Sequence, residues 1–167
     1  VFGIVGAIRG FPRELGVTTT TLVAMLVLVR FGEVLLRLAN RVFKFIGTPN
    51  EDLISFAIYT LFLLFVVFIS YHGETLAFAG KPPRGPVGML LNLGSGLLNG
   101  YLVVGTIWYY LDIFKYPVEK VGLYKPPLSD FAQSLIPYLP LNLVPENLRE
   151  IYLLVFIIFL IILRIIR

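Results

Sequence analysis

The sequence contains no cysteine and a single histidine, His72. The absence of cysteine excludes disulfides, thiolate metal sites, iron–sulfur clusters and cysteine nucleophiles. One histidine excludes a bis-histidine haem within the chain. His72 remains a candidate axial ligand for a pigment or haem, but a lone histidine at a helix end is more often a surface hydrogen-bonding residue. No cofactor and no metal site are therefore expected.

Charged residues are scarce, at 14% of the chain against roughly 25% in soluble domains, whereas hydrophobic residues reach 57%. The apolar residues fall into four stretches, each close to the ~20 residues that cross a bilayer. These stretches are Gly16–Val29, Leu53–Tyr71, Val87–Leu111 and Ile151–Ile166. Because lipid offers no hydrogen-bond partners and the stretches are uniformly apolar, they are predicted to be helices rather than barrel strands. The sequence predicts an all-α, polytopic transmembrane bundle with four full spans.

Two further kinds of segment accompany the spans. Residues 1–8 are apolar but would extend only about 12 Å as a helix, so we expect them to be the inner end of a truncated N-terminal helix. Residues 30–46 keep a helical period with charges on one side, and residues 128–139 are also amphipathic. Both are predicted to lie at the membrane surface.

A hairpin is predicted where the first two helices meet, at Arg9-Gly10-Phe11-Pro12-Arg13-Glu14. Gly10 and Pro12 interrupt a helix, and Pro12 is tolerated in the first turn of the next one. Glu14 would then lie in that first turn, where its charge complements the helix dipole. Arg9 and Arg13 are expected to face headgroups or partner groups.

A charged group follows the first full span. Glu33 has Arg30 three residues before it and Arg37 four residues after it, so both cations can reach the carboxylate on a helix. The spacing favours interfacial ion pairs. A buried proton or ion relay is the alternative.

The span at residues 87–111 carries a pattern typical of close helix packing. Gly88, Asn92, Gly96 and Gly100 lie on one i, i+4 row, and small residues allow another backbone to approach closely. Asn92 and Asn99 can add hydrogen bonds between helices. The row predicts a tight helix–helix seam, and a solute path lined by the asparagines is the alternative.

No pattern indicates catalysis or nucleotide chemistry. The chain has no nucleophile with an activating base, no metal-ligand set and no cofactor motif. Gly80-Lys81 lacks the glycine spacing and the Ser or Thr of a phosphate-binding loop. The basic residues cluster near the ends of the apolar stretches, as in membrane anchoring. We expect a non-enzymatic protein with lipid and protein partners, and with no nucleotide or nucleic-acid partner.

The order of the motifs resembles the CvpA family, the colicin V production proteins. Residues 9–14 are similar to the family's RGF-x-RE hairpin, and Leu28-x-Arg30-Phe31 falls where its second helix ends. Three later stretches are similar to its fourth-helix element, the end of that helix and its terminal amphipathic segment. They are Ser95–Gly100, Leu111-Asp112 and residues 128–140.

The resemblance implies a multi-pass protein of the bacterial inner membrane, linked to peptide export and envelope tolerance. Some family members are the membrane modules of periplasmic proteases, and the family supplies no agreed catalytic residues. Asn99 stands where the family has arginine. The resemblance divides the chain into a CvpA-like transmembrane domain at residues 1–150 and an additional transmembrane helix at residues 151–167.

These observations predict a scaffold or accessory subunit of a larger membrane complex. A transporter or channel component with a polar path between helices is the alternative, and a pigment- or haem-associated subunit is a third. The resemblance favours a cytoplasmic position for the Arg9 hairpin, with residues 115–149 on the opposite side.

Overall fold

The computed structural model describes residues 1–43, 51–73, 76, 78, 85–122 and 128–166. Every regular element within these ranges is helical, and no strand occurs among them. The all-α class is therefore confirmed. Most of the loop that contains Gly80-Lys81 lies outside the described residues.

Six α-helices occur in the described ranges, together with short 3₁₀ turns. The helices are α1 (Phe2–Arg9), α2 (Phe11–Phe43), α3 (Glu51–His72), α4 (Gly85–Ile113), α5 (Asp130–Leu135) and α6 (Arg149–Ile166). The 3₁₀ turns are Pro117–Val121, Ile136–Tyr138 and Glu146–Leu148. The predicted span at residues 16–29 and residues 30–43 of its predicted extension form one continuous helix, α2, of 33 residues, and residues 44–46 of that prediction lie outside the described residues.

A single residue, Gly10, separates α1 from α2. Its φ angle of +87° lies in a region that residues with a Cβ rarely adopt. Its N–H closes α1 on the Gly6 carbonyl at 2.9 Å, and its own carbonyl accepts from the N–H groups of Arg13 and Glu14. The chain therefore ends one helix and begins the next without a loop, four residues before the expected start at Leu15.

Two of the described helices, α3 and α4, are long and apolar enough to cross a membrane, judged by length and composition. Their 22 and 29 residues correspond to about 33 and about 44 Å. The expected total of four spans is thus met only in part. The 18 residues of α6 are strongly apolar but include three charged side chains, Arg149, Glu150 and Arg164.

The bundle is built around α4 and α2. Helix α4 contacts α1, α2 and α3, and α2 also contacts α3 and α6. The core between them contains the fully buried side chains of Met25, Leu28 and Leu63. This packing brings side chains of α1, α2, α3 and α4 together near the start of α2, and side chains of α2, α3, α4 and α6 together around Glu33.

Much of the outer surface is apolar. Large hydrophobic side chains are exposed along α3, α4 and α6, among them Leu61, Phe65, Leu90, Val104 and Phe156. Soluble monomers rarely expose continuous apolar surface on this scale. Helices α3 and α4 therefore have apolar residues both in the core and on the outer surface.

Candidate functional site

The predicted glycine seam lies against α1. A Cβ atom on Gly6 would approach the Asn92 carbonyl and the Gly96 backbone to less than 3 Å. A Cβ atom on Gly96 would meet the Phe2 carbonyl, and one on Gly100 the Phe2 side chain, equally closely. The two backbones therefore touch, as small residues allow. The partner that fills the seam is the N-terminal helix of the same chain.

Asn92 extends this seam to the start of α2. Its Oδ1 accepts the N–H of Phe11, the first residue of α2, at 2.7 Å. The first N–H groups of a helix have no partner within it, so Asn92 satisfies one of them from α4. Gly88, one turn earlier on the same row, is buried.

The most enclosed charged group of the described chain is Glu14, which is 0% exposed. Its Oε2 accepts hydrogen bonds from Asn99 Nδ2 at 2.8 Å and from the Tyr71 hydroxyl at 3.1 Å. Asn99, also 0% exposed, donates to the Glu14 carbonyl as well and accepts from the Thr18 hydroxyl at 2.7 Å. Side chains of α2, α3 and α4 thus converge on one carboxylate.

Arg9 supplies the positive charge of this cluster. Its Nε lies 3.1 Å from Glu14 Oε1, although the N–H is not aligned for a hydrogen bond and the contact is therefore ionic. Its Nη1 donates to the Tyr71 carbonyl, and its guanidinium carbon lies 4.8 Å from the centre of the Tyr71 ring. We call Arg9, Glu14, Tyr71 and Asn99 the Glu14 cluster. Because breaking a buried ion pair leaves a charge buried and uncompensated, these contacts are suited to fixing the four helices relative to one another.

Polar groups continue from this cluster along α2. The Thr20 hydroxyl lies 2.6 Å from Ser70 Oγ of α3, which links a second pair of polar side chains between these helices. The hydroxyls of Thr21 and Thr106 are buried without a hydrogen-bond partner in the described part of the chain. Buried hydroxyls are normally paired, so these two mark polar positions inside the bundle.

The predicted group of Arg30, Glu33 and Arg37 is not brought together. Arg30 Nη1 lies 3.7 Å from Glu150 Oε1 of α6, and no ion pair among the described residues joins Glu33 to either arginine. The spacing along α2 allowed ion pairs between Glu33 and the two arginines. Helix α6 packs beside α2, however, and its Glu150 pairs with Arg30 instead.

Glu33 instead faces a cavity of about 650 Å³ at the end of the bundle remote from Glu14. The cavity lies between α2, the start of α3, the end of α4 and the start of α6. Its polar and aromatic lining includes Glu33, Tyr59, Tyr109, Tyr110, Arg149 and Glu150. We call it the Glu33 cavity.

Arg149 is held at one wall of this cavity by neutral groups. Its Nε donates to the Leu141 carbonyl and its Nη1 to the Tyr109 hydroxyl, both at 2.7 Å. Its guanidinium carbon also lies 5.1 Å from the centre of the Tyr109 ring. The start of α6 is thereby fixed to α4.

The remaining predicted site residues lie at the surface. His72 is exposed at the end of α3, where its Nδ1 is 3.3 Å from the Phe68 carbonyl and its ring centre lies 4.0 Å from that of Phe68, with the rings tilted by 34°. Arg13 is exposed as well. No group of three His, Asp or Glu side chains that could hold a metal ion occurs in the described ranges.

Sequence reasoning missed the partners of Glu14 and the whole Glu33 cavity. Tyr71 and Asn99 lie 57 and 85 residues from Glu14, and no local spacing connects them. An available signal was the position of Asn99 in the middle of a long apolar stretch, since a buried amide in such a place needs a polar partner. No comparable signal marked Arg149.

The chain was compared with known proteins by sequence and by structure. No family model, no curated protein and no solved structure matches it. The resemblance to the CvpA family therefore stays a prediction from the motifs, and the candidate site is defined by geometry alone.

Proposed function

We propose that this chain is a multi-pass protein of the bacterial inner membrane that acts as a non-enzymatic scaffold or accessory subunit of a larger complex. In this proposal α2 and α6 cross the membrane together with α3 and α4. The 15 residues between Glu14 and Arg30 carry no charge, and the charges of α6 lie near its two ends. Snorkelling of the terminal arginines would keep those charges at the headgroups.

The observation that carries the proposal is the outer face of α6. Only Leu153, Ile157 and Leu160 are buried in this helix, whereas its other large apolar side chains are exposed. A helix that is apolar all round needs lipid or another protein on its free side. Because α1 fills the glycine seam, a partner subunit would dock on the outer face of α6 rather than on the seam.

The resemblance to the CvpA family forms part of the same proposal. The RGF-x-RE motif is the segment that makes the α1–α2 turn and supplies Arg9 and Glu14. Asn99, at the position where the family has arginine, donates to Glu14. A polar contact between positions 14 and 99 would give a physical reason for the RGF-x-RE motif to recur in a family.

Purification in mild detergent, followed by native mass spectrometry, tests the scaffold role. We expect further subunits to remain bound to the wild-type chain. Replacing Phe156, Phe159 and Leu163 of α6 by alanine should release them while the chain stays in the membrane. The matched control replaces Leu61, Phe65 and Phe68 of α3, which should leave the complex intact. A wild-type chain that purifies alone contradicts the proposal.

Polar atoms inside the bundle that lack a hydrogen bond favour a second candidate, a transporter or channel component. Glu14 Oε1 and the hydroxyls of Thr21 and Thr106 are all buried without a hydrogen bond within the described residues. They lie on α2 and α4, which pack against each other. Reconstitution into liposomes separates the two candidates: proton or ion flux that Glu14→Gln abolishes would favour this function, and tight vesicles would favour the scaffold.

A further inference from the structure

The Glu33 cavity has the dimensions of a ligand site. Its volume of about 650 Å³ falls within the range of about 300–1,000 Å³ typical of small-molecule sites. Four separate helices form its walls, so its shape depends on the assembled bundle. It lies outside the Glu14 cluster and outside the surfaces assigned to partner subunits.

Two tyrosine hydroxyls are available to a ligand in this cavity. Tyr59 and Tyr110 are 7% and 4% exposed, and both line the cavity. Neither hydroxyl makes a hydrogen bond with any part of the chain that the structure describes. The Tyr59 hydroxyl lies directly over Gly32, one residue before Glu33. Both hydroxyl oxygens remain accessible from the cavity, so a ligand there can form hydrogen bonds with them.

The charges around the cavity favour a cation. Glu33 and Glu146 line it without an ion pair to any described residue, whereas Glu150 is paired with Arg30. Arg149 is the positive lining residue, and its donors already bind a carbonyl and a tyrosine hydroxyl. The lining therefore carries excess negative charge, and Glu33 directly follows Gly32, over which the Tyr59 hydroxyl lies.

Apolar side chains complete the cavity. Leu28, Val29, Leu36 and Ile113 line it together with the Phe114 ring, which lies 5.4 Å from that of Tyr59. A ligand with a charged end and an apolar body matches both halves of this surface. An ammonium group has three donors and no acceptor, which matches one carboxylate and two hydroxyl oxygens.

We propose that the Glu33 cavity binds the primary ammonium group of an amphiphile, with Glu33 as its counter-ion and the Tyr59 and Tyr110 hydroxyls as further acceptors. Two sources share this chemistry, a soluble alkylamine and the headgroup of phosphatidylethanolamine. The inference goes beyond the scaffold role and does not depend on it.

Calorimetric titration of the full chain in phosphatidylcholine nanodiscs tests the proposal. Hexylammonium should bind, hexyltrimethylammonium should bind far more weakly because it has no N–H donor, and hexyl sulfate should not bind. Glu33→Gln should weaken hexylammonium at least about tenfold, the loss expected for a charge-assisted hydrogen bond. Glu119→Gln, an exposed carboxylate outside the cavity, is the matched control and should leave the affinity unchanged.

Tyr59→Phe and Tyr110→Phe keep the rings and remove single hydroxyls, so they test the site even if Glu33→Gln does not fold. Each should weaken hexylammonium severalfold. Equal affinity in wild type and all three cavity variants would overturn the proposal, as would tighter binding of hexyl sulfate than of hexylammonium.

Nanodiscs that contain phosphatidylethanolamine distinguish the two sources. If the lipid competes with hexylammonium, and co-purifies with wild type but not with Glu33→Gln, the headgroup is the ligand. If hexylammonium binds equally well with and without this lipid, a soluble amine is the ligand.

Discussion

Glu14 and Glu33 lie on the same helix, one on each side of its uncharged segment, and their surroundings are opposite. Glu14 is completely buried, with an arginine and two neutral donors around its carboxylate. Glu33 faces an open cavity and has no ion pair with a described residue. A buried carboxylate without partners is costly, so Glu14 requires its partners for stability. We call the end of the bundle around Glu14 the closed end and the end around Glu33 the open end. Glu33 at the open end does not require partners for stability, and a ligand can supply partners for its carboxylate.

The largest difference between the two ends should come from their arginines. Arg9→Met leaves the Glu14 charge buried without its cation, and we expect a loss of about 3–5 kcal/mol in the free energy of unfolding. Arg30→Met removes a half-exposed pair with a 3.7 Å separation, and should cost less than about 1 kcal/mol. Unfolding in mixed SDS micelles measures the change in the free energy of unfolding for both variants.

A double variant sharpens this comparison. Arg9→Met combined with Glu14→Leu replaces the pair by apolar side chains, and should recover much of the loss because no charge remains buried. An Arg9→Met variant as stable as Arg30→Met would mean that the closed end is not held by its charge.

The glycine seam gives the next largest effect. Gly96→Ala places a methyl group against the backbone of α1, and overpacking of this kind costs about 1–3 kcal/mol. A Cβ atom on Gly94 would meet no other atom within 4 Å, so Gly94→Ala should be neutral or stabilise the fold by up to about 1 kcal/mol. The same unfolding assay applies, and equal stability of the two variants would remove the case for close packing.

Two tyrosines offer a smaller and more selective comparison. Tyr71→Phe removes a donor from the buried Glu14 carboxylate and should cost about 1–3 kcal/mol. Tyr59→Phe removes a hydroxyl with no partner among the described residues and should leave the unfolding free energy nearly unchanged. Equal losses in the two variants would show that the Tyr59 hydroxyl is already paired.

Cysteine labelling tests whether the two ends lie on opposite sides of a membrane. The substitutions that it needs should not change the free energy of unfolding. Because the chain has no cysteine, His72→Cys and Glu119→Cys each introduce a single thiol at an exposed position. With the Arg9 hairpin cytoplasmic, a membrane-impermeant maleimide applied to intact cells should label the Glu119→Cys variant and spare His72→Cys. The reverse pattern would invert the orientation, and equal labelling would place both ends on one side.

Local chemistry predicted the parts of this fold that depend on neighbouring residues. Gly10 and Pro12 marked the break between α1 and α2, and the Gly96–Gly100 spacing marked a surface able to accept another backbone. Local spacing failed at Glu33, since a helix i, i+4 pair is weak and α6 offers Arg30 a different partner. The identity of the helix against the seam was equally inaccessible, because it depends on how α1 folds back along α4.

The Glu14 cluster was inaccessible for the same reason. Its four side chains come from four helices, and each alone had an ordinary local explanation. Glu14 was a helix-dipole charge, Arg9 part of a basic hairpin, Asn99 a packing asparagine and Tyr71 the last residue of an apolar stretch. Only the packing of α3 and α4 against the hairpin shows that these roles coincide at one carboxylate.

The order of residues along the chain also imposes an order on synthesis. Arg9 and Glu14 leave the ribosome together, but Asn99 follows Glu14 by 85 residues. At about 5–20 residues per second, the nascent hairpin waits about 4–17 s for its last donor. During that interval an ionic pair lacks part of its hydrogen bonding, and in the proposed membrane setting the insertion machinery or the headgroup layer would shelter it. Pausing translation before Asn99 should therefore expose a hairpin prone to degradation, and the completed α4 should end that vulnerability.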